Sequence, residues 1–271
     1  MRRLLCVLVF GLAVASADTL DFSRYAVVVT CSEKSPLATA ADLSADLSAR
    51  VLAVLESTSY DQTWSVAAFL ASHPQVRRKL ERMTFDSRRS NPRYLSDGTV
   101  SVDYEFGLRG GVLRLLLPPT GTGRLLGRTA CPCCGQPWPE GKEPPPGVKL
   151  VPFEEPNAPS YSGILIDVRG LGFKPALFPR VVTEEDAEVI GPGFTDEGNL
   201  AENGMFGYYR DRNEAVLSER IGSNPLVIRA LAVTGANSSN PVISRFDARR
   251  VHSSKANLEL LLLCRVGLIT D

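Results

Sequence analysis

The segment YSGILIDVRGLGFKPALFPRVV, residues 161–182, holds two apolar runs separated by a loop that is rich in glycine and proline. Residues 164–166 (ILI) and 180–182 (RVV) predict two short β-strands, because turn-forming residues bound both runs. The loop contains four residues for which we predict a structural role: Gly170, Gly172, Pro175 and Pro179. Glycine permits a tight connection and proline stiffens it, so this segment is the centre of a predicted C-terminal domain over residues 159–271.

Residues 1–17, MRRLLCVLVFGLAVASA, have the pattern of a secretory signal peptide. Arg2 and Arg3 precede an apolar run, and the small residues at positions 15–17 suit cleavage before Asp18. The run is shorter than the roughly 20 residues that a transmembrane helix needs. A lipoprotein signal would also need a cysteine at the cleavage point. We therefore expect a periplasmic or secreted mature protein without a lipid anchor.

The predicted mature chain of 254 residues has 28 basic and 30 acidic residues, which gives a formal charge of −2. This balance argues against nucleic acid as a partner. The length predicts two domains. No apolar run after residue 17 is long enough to cross a membrane, so we expect no transmembrane segment in the mature chain.

An N-terminal α+β domain is predicted over residues 18–117. Apolar residues recur there with a period of 3.6 residues, which predicts an amphipathic helix over residues 37–56. A second helix is predicted to begin at a cap, Asp61, and to be interrupted at His73 by the proline that follows it. These helices form the predicted helix pair of the domain.

Residues 88–95 and 99–108 predict two antiparallel strands. The dipeptide Asp97-Gly98 between them is a strong signal for a hairpin with a type I′ turn, in which both central residues have positive φ. A further apolar run at residues 112–117 predicts a third strand. The N-terminal domain is therefore predicted to be a helix pair on a small antiparallel sheet.

The pattern R-Y-L-x-D-G-T-V-x-V-x-x-x-x-x-L at residues 93–108, with the helices before it, resembles a bacterial envelope family. This LPP-twenty-type lipoprotein family includes the flagellar outer-membrane proteins FlgP and FlgT. The resemblance covers about residues 40–108, and residues 164–180 and 220–226 also resemble the C-terminal region of larger members. It implies a structural or assembly component of the flagellum or outer membrane. Implied partners are flagellar basal-body components or copies of the chain itself. Unlike the lipid-anchored members, this chain lacks a lipobox cysteine.

Residues 118–158 form a predicted linker between the two domains. This segment of 41 residues contains ten of the nineteen prolines, so little of it is expected to form regular ladders or helices. At its centre lies the motif CPCCG, which contributes three cysteines: Cys131, Cys133 and Cys134.

The spacing of Cys131 and Cys134, followed by glycine, is that of one half of a zinc knuckle. Three interpretations stay open. In an oxidising compartment the cysteines form a structural disulfide or stay unreactive thiols. Alternatively, Cys131, Cys133 and Cys134 bind zinc. Catalytic thiol exchange is disfavoured, because such a motif normally opens a helix.

The C-terminal domain, residues 159–271, is predicted to be α+β with a mixed sheet. Beyond residue 182, its predicted strands are 186–190, 226–233, 242–244 and 258–269, its helices are 213–220 and 247–254, and residues 191–204 are a polar loop. The last strand is almost wholly apolar, which predicts a central position buried on both faces.

No catalytic pattern accompanies the two histidines, His73 and His252. We therefore predict a non-enzymatic secreted envelope protein without catalytic or cofactor-binding residues. The alternative function is a zinc-binding periplasmic module built on the cysteine cluster. A small enzyme that uses the loop after Ile166 is a third hypothesis.

Overall fold

The computed structural model describes residues 18–33, 40–83, 85–154 and 159–271. The predicted signal peptide and the first residues of the first predicted helix, 37–39, lie outside the described residues. Helices and strands occur throughout, which confirms the predicted α+β class. Each helix in these ranges is too short or too polar to span a lipid bilayer.

The N-terminal part is an antiparallel sheet with helices packed against it. Its strands are β1 (Thr19–Asp21), β2 (Ala26–Glu33), β3 (Ser87–Arg89), β4 (Arg93–Tyr94) and β5 (Val100–Gly107). Its helices are α1 (Ala40–Ser57), α2 (Val66–Ser72), α3 (Pro74–Glu81) and α4 (Gly111–Leu116). Strands β2 and β5 lie at the centre, β1 pairs with β2, and β3 and β4 both pair with the other side of β5.

Helix α1 buries the face that the periodicity predicts. That face contains three buried residues: Leu47, Val51 and Leu55. The next helix is capped by Ser65, whose Oγ accepts a hydrogen bond from the Ala68 N–H (3.2 Å), and not by Asp61 as predicted. The predicted interruption at His73 is confirmed, because α2 ends before this residue and α3 begins after it.

The predicted third strand over residues 112–117 is wrong, because this segment is helix α4. Val112, Leu113 and Leu116 are buried in the main core. Their spacing suits one face of a helix as well as an apolar strand, and periodicity does not distinguish the two in so short a run. Gly110, with a φ of 72°, forms the turn between β5 and the helix.

The proline-rich segment contains a small sheet of its own. Strand β6 (Thr129–Ala130) pairs antiparallel with β7 (Val151–Pro152). Ahead of β6, Leu125 and Leu126 pack against the main core. The predicted linker is therefore partly structured, and its role as a boundary between domains stays a prediction.

The C-terminal part contains two four-stranded sheets. Its strands are β8 (Ile164–Asp167), β9 (Val181–Val182), β10 (Glu188–Ile190), β11 (Gly207–Tyr209), β12 (Leu226–Arg229), β13 (Ala232–Thr234), β14 (Asn240–Val242) and β15 (Val266–Ile269). Its helices are α5 (Glu197–Asn203), α6 (Arg212–Leu217), α7 (Arg245–Val251) and α8 (Lys255–Leu262), and Pro192–Phe194 forms a 3-10 turn.

The two sheets differ in strand direction. The order β11-β15-β8-β12 is parallel throughout, whereas the order β10-β9-β14-β13 is mixed. The predicted mixed sheet is therefore present, and a parallel sheet accompanies it. Strands β8 and β9 belong to different sheets, so the loop of residues 168–180 carries the chain from one sheet to the other.

The prediction of one strand over residues 258–269 is wrong. The first residues of this run complete α8, the chain turns at Cys264 (φ 54°), and only the last residues form β15. Leu261 is buried whereas Leu262 is 46% exposed, as expected for two neighbouring positions on a helix. The strand that remains, β15, has the predicted central position between β11 and β8.

The structure differs from the predictions for the C-terminal part in three further places, two of them at helix caps. The predicted polar loop over residues 191–204 contains the 3-10 turn and α5, which Asp196 caps. Helix α7 begins after Ser244, before the predicted acidic cap at Asp247. The predicted strand over residues 226–233 is divided into β12 and β13, which lie in different sheets.

The N-terminal and C-terminal parts share one hydrophobic core. The Tyr25 hydroxyl donates to the Phe206 carbonyl (3.0 Å) and accepts from the Phe206 N–H (3.2 Å). The Tyr60 ring meets the Phe178 ring edge-on, with centroids 5.1 Å apart. The contact of Tyr60 with Phe178 places the loop of residues 168–180 against the segment that follows α1.

Candidate functional site

One side of the N-terminal sheet is an open edge. We define the β3–β4 edge as residues 87–95, all of which are exposed. Strands β3 and β4 are hydrogen-bonded to β5 on one side, and among the described residues no strand pairs with their other side. The edge carries three arginines, Arg88, Arg89 and Arg93, followed by two exposed apolar side chains, Tyr94 and Leu95. It therefore combines unpaired backbone, positive charge and apolar surface.

The turn after this edge contains the two predicted structural residues. Tyr94 pairs with Val100, so the predicted hairpin is confirmed. Of the two turn residues only Gly98 has a positive φ (79°), so the turn is not type I′. The Asp97 Oδ1 accepts from the Thr99 N–H (3.0 Å), which fixes the turn through an Asx interaction.

The CPCCG motif forms a tight turn between β6 and β7, which we call the knuckle (residues 131–136). The Gly135 N–H donates to the Cys131 carbonyl (2.9 Å), and the Cys131 N–H donates to the Gln136 carbonyl (2.9 Å). Cys131 is half-buried, whereas Cys133 and Cys134 are exposed. Within the described residues, no three His, Cys, Asp or Glu side chains form a group that could hold a metal ion.

The base of the knuckle is attached to the rest of the chain, while its tip is exposed. The backbone N–H of Trp138 donates to the Thr129 carbonyl (2.7 Å), which closes the turn. Further back, the Leu126 N–H donates to His252 Nδ1 (2.9 Å). His252 Nε2 therefore carries the proton and donates to the Val189 carbonyl (2.7 Å). Burial lowers the pKa of His252 to about 4, although the bond to Val189 opposes this shift.

The four predicted loop residues connect the two C-terminal sheets. Gly170 and Gly172 both have positive φ and are exposed, whereas Pro179 is buried and Pro175 half-buried. The Gly170 N–H donates to the side-chain carboxylate of Asp271 (3.0 Å to Oδ2). All four residues therefore lie in the connection between the two C-terminal sheets, and the structural role predicted for them stays a prediction.

A charged cluster at the carboxyl ends of the parallel strands was not predicted. Arg169 donates to both Asp167 oxygens (3.0 and 2.8 Å), and Arg229 contacts Asp167 Oδ1 at 2.8 Å. The hydrogen bonds from Arg169 lower the pKa of Asp167 to about 2. The pair Asp167 and Arg169 was visible in the sequence, but Arg229 joins them only because β12 pairs with β8.

An open cleft of about 550 Å³ lies beside β11 and the start of β15. Arg109, Arg220 and Arg265 line it. The guanidinium of Arg220 donates hydrogen bonds to four backbone carbonyls, those of Asn203, Gly204, Met205 and Cys264. These bonds join the segment after α5 to the turn before β15. No sequence motif marked this cleft.

Residues 163–271 match the family model of Treponema pallidum Tp0624, second domain. The match covers 109 of the 271 residues and includes all the strands from β8 to β15. No curated protein matches the chain. These comparisons do not support the resemblance to FlgP and FlgT, which stays a prediction.

The predicted site residues lie in three separate places: the β4–β5 turn, the knuckle, and the loop between β8 and β9. The loop residues, with the Asp167 cluster, belong to the Tp0624-like region. The β3–β4 edge with its turn, and the knuckle, precede that region. The likeness to Tp0624 therefore concerns the C-terminal sheets, while the two most exposed sites lie outside it.

Proposed function

We propose that this chain is a secreted envelope protein that acts without catalysis as a structural or assembly component. In a two-membrane bacterium it acts in the periplasm or at the outer membrane. Its β3–β4 edge binds an extended segment of a protein partner, which adds a strand to the N-terminal sheet. The observation that carries this proposal is the fully exposed edge with its open backbone groups.

The geometry of the edge suits strand addition. A strand at the end of a sheet presents a row of N–H and C=O groups that can pair with another chain. Strands β3 and β4 both pair with β5 on the same side, so a partner strand has access to the other side of each. Backbone pairing would supply affinity, and the side chains of the edge would supply specificity.

The charge of the edge favours an acidic partner. Arg88 and Arg89 are exposed on β3, and Arg93 follows on β4, where it contacts Asp103 at 2.7 Å. The charges of Arg88 and Arg89 attract carboxylates on an approaching segment, whereas that of Arg93 is partly offset by Asp103. Tyr94, which is 78% exposed, adds a large apolar contact of the kind enriched at protein interfaces.

The proposed location depends on the sequence. The signal-peptide pattern of residues 1–17 supports export, and the pattern at residues 93–108 supports a role with the flagellum or outer membrane. The pattern at residues 93–108 includes the β4–β5 hairpin, which contains part of the β3–β4 edge. The proposed partner is therefore an acidic segment of an envelope protein, with flagellar basal-body components as the first candidates.

Site-specific photo-crosslinking in living cells tests this function. A photoreactive phenylalanine analogue replaces Tyr94 in one strain and Phe246 in a control strain, because Phe246 is a similarly exposed aromatic residue (71%) on α7. We expect a defined adduct with an envelope protein from position 94 only. Arg89→Glu should reduce its yield about tenfold, whereas Arg212→Glu, an exposed arginine on α6, should not change it.

Four results would contradict the proposal in whole or in part. Equal adducts from positions 94 and 246 would show that the edge is not the binding site. An adduct that Arg89→Glu leaves unchanged would remove the argument from charge. A deletion strain with normal motility and normal envelope integrity would exclude the flagellar and outer-membrane role. An adduct between copies of the chain would replace the acidic partner with self-assembly.

A further inference from the structure

The open cleft beside β11 lies where the two parts of the chain meet. Its volume is about 550 Å³. Ser23 and Arg109, which follow β1 and β5, come from the N-terminal part, and the other lining residues come from the C-terminal part. Sites for small molecules have volumes of roughly 300 to 1,000 Å³. The cleft is therefore large enough for a small ligand that contacts both parts.

The lining of the cleft is positively charged. Its charged groups are three arginines, Arg109, Arg220 and Arg265, and one carboxylate, Glu219, which give a formal charge of +2. In the part of the chain that the structure describes, none of the three arginines forms an ion pair. A concave surface lined by charges of one sign concentrates ligands of the opposite sign. The cleft should therefore attract anions.

Backbone carbonyls hold two of these arginines in place. Arg220 donates through Nε to the Cys264 carbonyl (2.7 Å) and through its other nitrogens to three more carbonyls. Arg265 donates through Nε to the Arg220 carbonyl (3.2 Å) and through Nη2 to the Glu219 carbonyl (2.9 Å). Each guanidinium has more N–H donors than these contacts use. The carbonyls orient both groups without neutralising them, so an anion meets donors that need little ordering.

Further polar groups lie around this pair. Arg109 is exposed, and its guanidinium lies over the Tyr25 ring, 5.4 Å from the centroid. This cation–π contact positions the side chain without using its N–H groups in the plane of the guanidinium. On the C-terminal side, the Tyr209 hydroxyl is 2.8 Å from Ser218 Oγ. Hydroxyl groups both donate and accept, so they suit an anionic oxygen as well as a ligand hydroxyl.

The chemistry of the lining favours a phosphate monoester. Such a group carries a charge of about −1.5 to −2 near neutral pH and has three acceptor oxygens. Its charge matches the formal charge of the lining, and guanidinium groups are well suited to phosphate oxygens. Ser23, Asn199 and Asn203 add hydroxyl and amide groups to the lining, which suit the hydroxyls of a sugar.

We propose that this cleft binds a small phosphorylated molecule of the sugar-phosphate class. The three arginines bind the phosphate group, and the polar side chains of α5 contact the sugar. Arg109 precedes the Tp0624-like region, so that region alone holds an incomplete site. The inference does not depend on the proposed function of the β3–β4 edge.

Isothermal titration calorimetry of the whole chain with glucose 6-phosphate tests the proposal, with glucose as the control ligand. We expect saturable binding of glucose 6-phosphate and no binding of glucose. Inorganic phosphate should compete with glucose 6-phosphate. Glucuronate carries a single negative charge on a carboxylate, so it should bind about tenfold more weakly.

Substitutions in the lining should change the affinity in opposite directions. Arg109→Ala should weaken binding about tenfold, because it removes one cation and leaves the backbone contacts of Arg220 and Arg265 intact. Glu219→Gln should strengthen binding about threefold, because it removes a negative charge from the lining. The control is Arg78→Ala, which removes an exposed arginine from α3 and should leave the affinity unchanged. Circular dichroism verifies that each variant is folded.

Each of the following results would overturn the proposal. Affinity that neither Arg109→Ala nor Glu219→Gln changes would place the ligand outside the cleft. Titration without saturation up to about 10 mM would exclude a specific site. Equal affinity for glucuronate would remove the preference for phosphate. Binding to phosphatidylcholine vesicles that contain phosphatidic acid, without binding of glucose 6-phosphate, would assign the cleft to a membrane surface.

Discussion

Strand β8 and the β3–β4 edge are both short, but their surroundings are opposite. Strand β8 has hydrogen-bonded neighbours on both sides, β15 and β12. Ile164 and Ile166 lie in the main core on one face, and Leu165 lies in a second cluster on the other. In the part of the chain that the structure describes, the β3–β4 edge has a neighbouring strand on one side only, and its side chains are exposed. The C-terminal sheets therefore use their strands for stability, whereas the edge keeps its backbone available for contact.

Truncation of one apolar side chain in each region should give the largest difference. Ile166→Ala removes a fully buried side chain of β8 and should lower the free energy of unfolding by about 3 to 4 kcal/mol. Leu95→Ala removes a side chain that is 50% exposed and should cost about 0.5 kcal/mol or less. Urea denaturation followed by circular dichroism measures both. Similar costs for the two variants would mean that burial does not distinguish the regions.

Acidic pH should destabilise the buried region through His252. The pKa of His252 is about 4 in the folded chain and about 6.5 in the unfolded chain. The unfolded chain therefore binds the proton first, so the stabilisation is complete above pH 6.5 and is lost as the pH falls towards 4. We expect a loss of about 3 kcal/mol over this range.

The control for this prediction is His252→Gln, which removes the titration and should flatten the dependence of unfolding free energy on pH between 6.5 and 4. Asp167 does not interfere, because its pKa of about 2 places its own loss below about pH 4. An unchanged profile in His252→Gln would assign the acid sensitivity to another group.

The sequence predicted elements whose pattern is local. Alternation over residues 99–108 identified β5, and the 3.6-residue period identified α1, because each pattern extends over many residues. Short apolar runs were ambiguous: residues 112–117 became helix α4, and residues 258–269 became the end of α8 and β15. In both cases the two or three apolar side chains of the run can be buried equally well by a helix or by a strand. The packing of the rest of the chain decides which of the two forms.

The same distinction applies to the candidate sites. The turn at Asp97 and Gly98 and the spacing of Cys131 and Cys134 are local, so the sequence revealed them. The cluster around Asp167 depends on the register of β12 against β8, which pairs Arg229 with Asp167 across 62 positions of the chain. The openness of the β3–β4 edge depends on which strand ends the sheet, and no local pattern specifies that.

The junction between the two regions should respond to the loss of one hydroxyl group. Tyr25→Phe leaves both the N–H and the carbonyl of Phe206 without their buried partner, which should cost about 2 kcal/mol. Tyr94→Phe removes a hydroxyl group from an exposed ring on the edge and should leave stability unchanged. Urea midpoints measure the two effects. A neutral Tyr25→Phe would show that water replaces the hydroxyl at this junction.

A single methyl group at Gly98 should give the smallest effect and test the geometry of the edge itself. A Cβ at this position meets no atom within 4 Å, so the only cost of Gly98→Ala is the positive φ of 79°. We expect a loss of about 1 kcal/mol in the free energy of unfolding, because alanine resists left-handed backbone. Gly98→Asn should recover most of it, since asparagine tolerates that conformation. Equal losses for alanine and asparagine would indicate a steric clash instead of backbone strain. Such a clash would mean that another segment of the chain contacts the turn between β4 and β5.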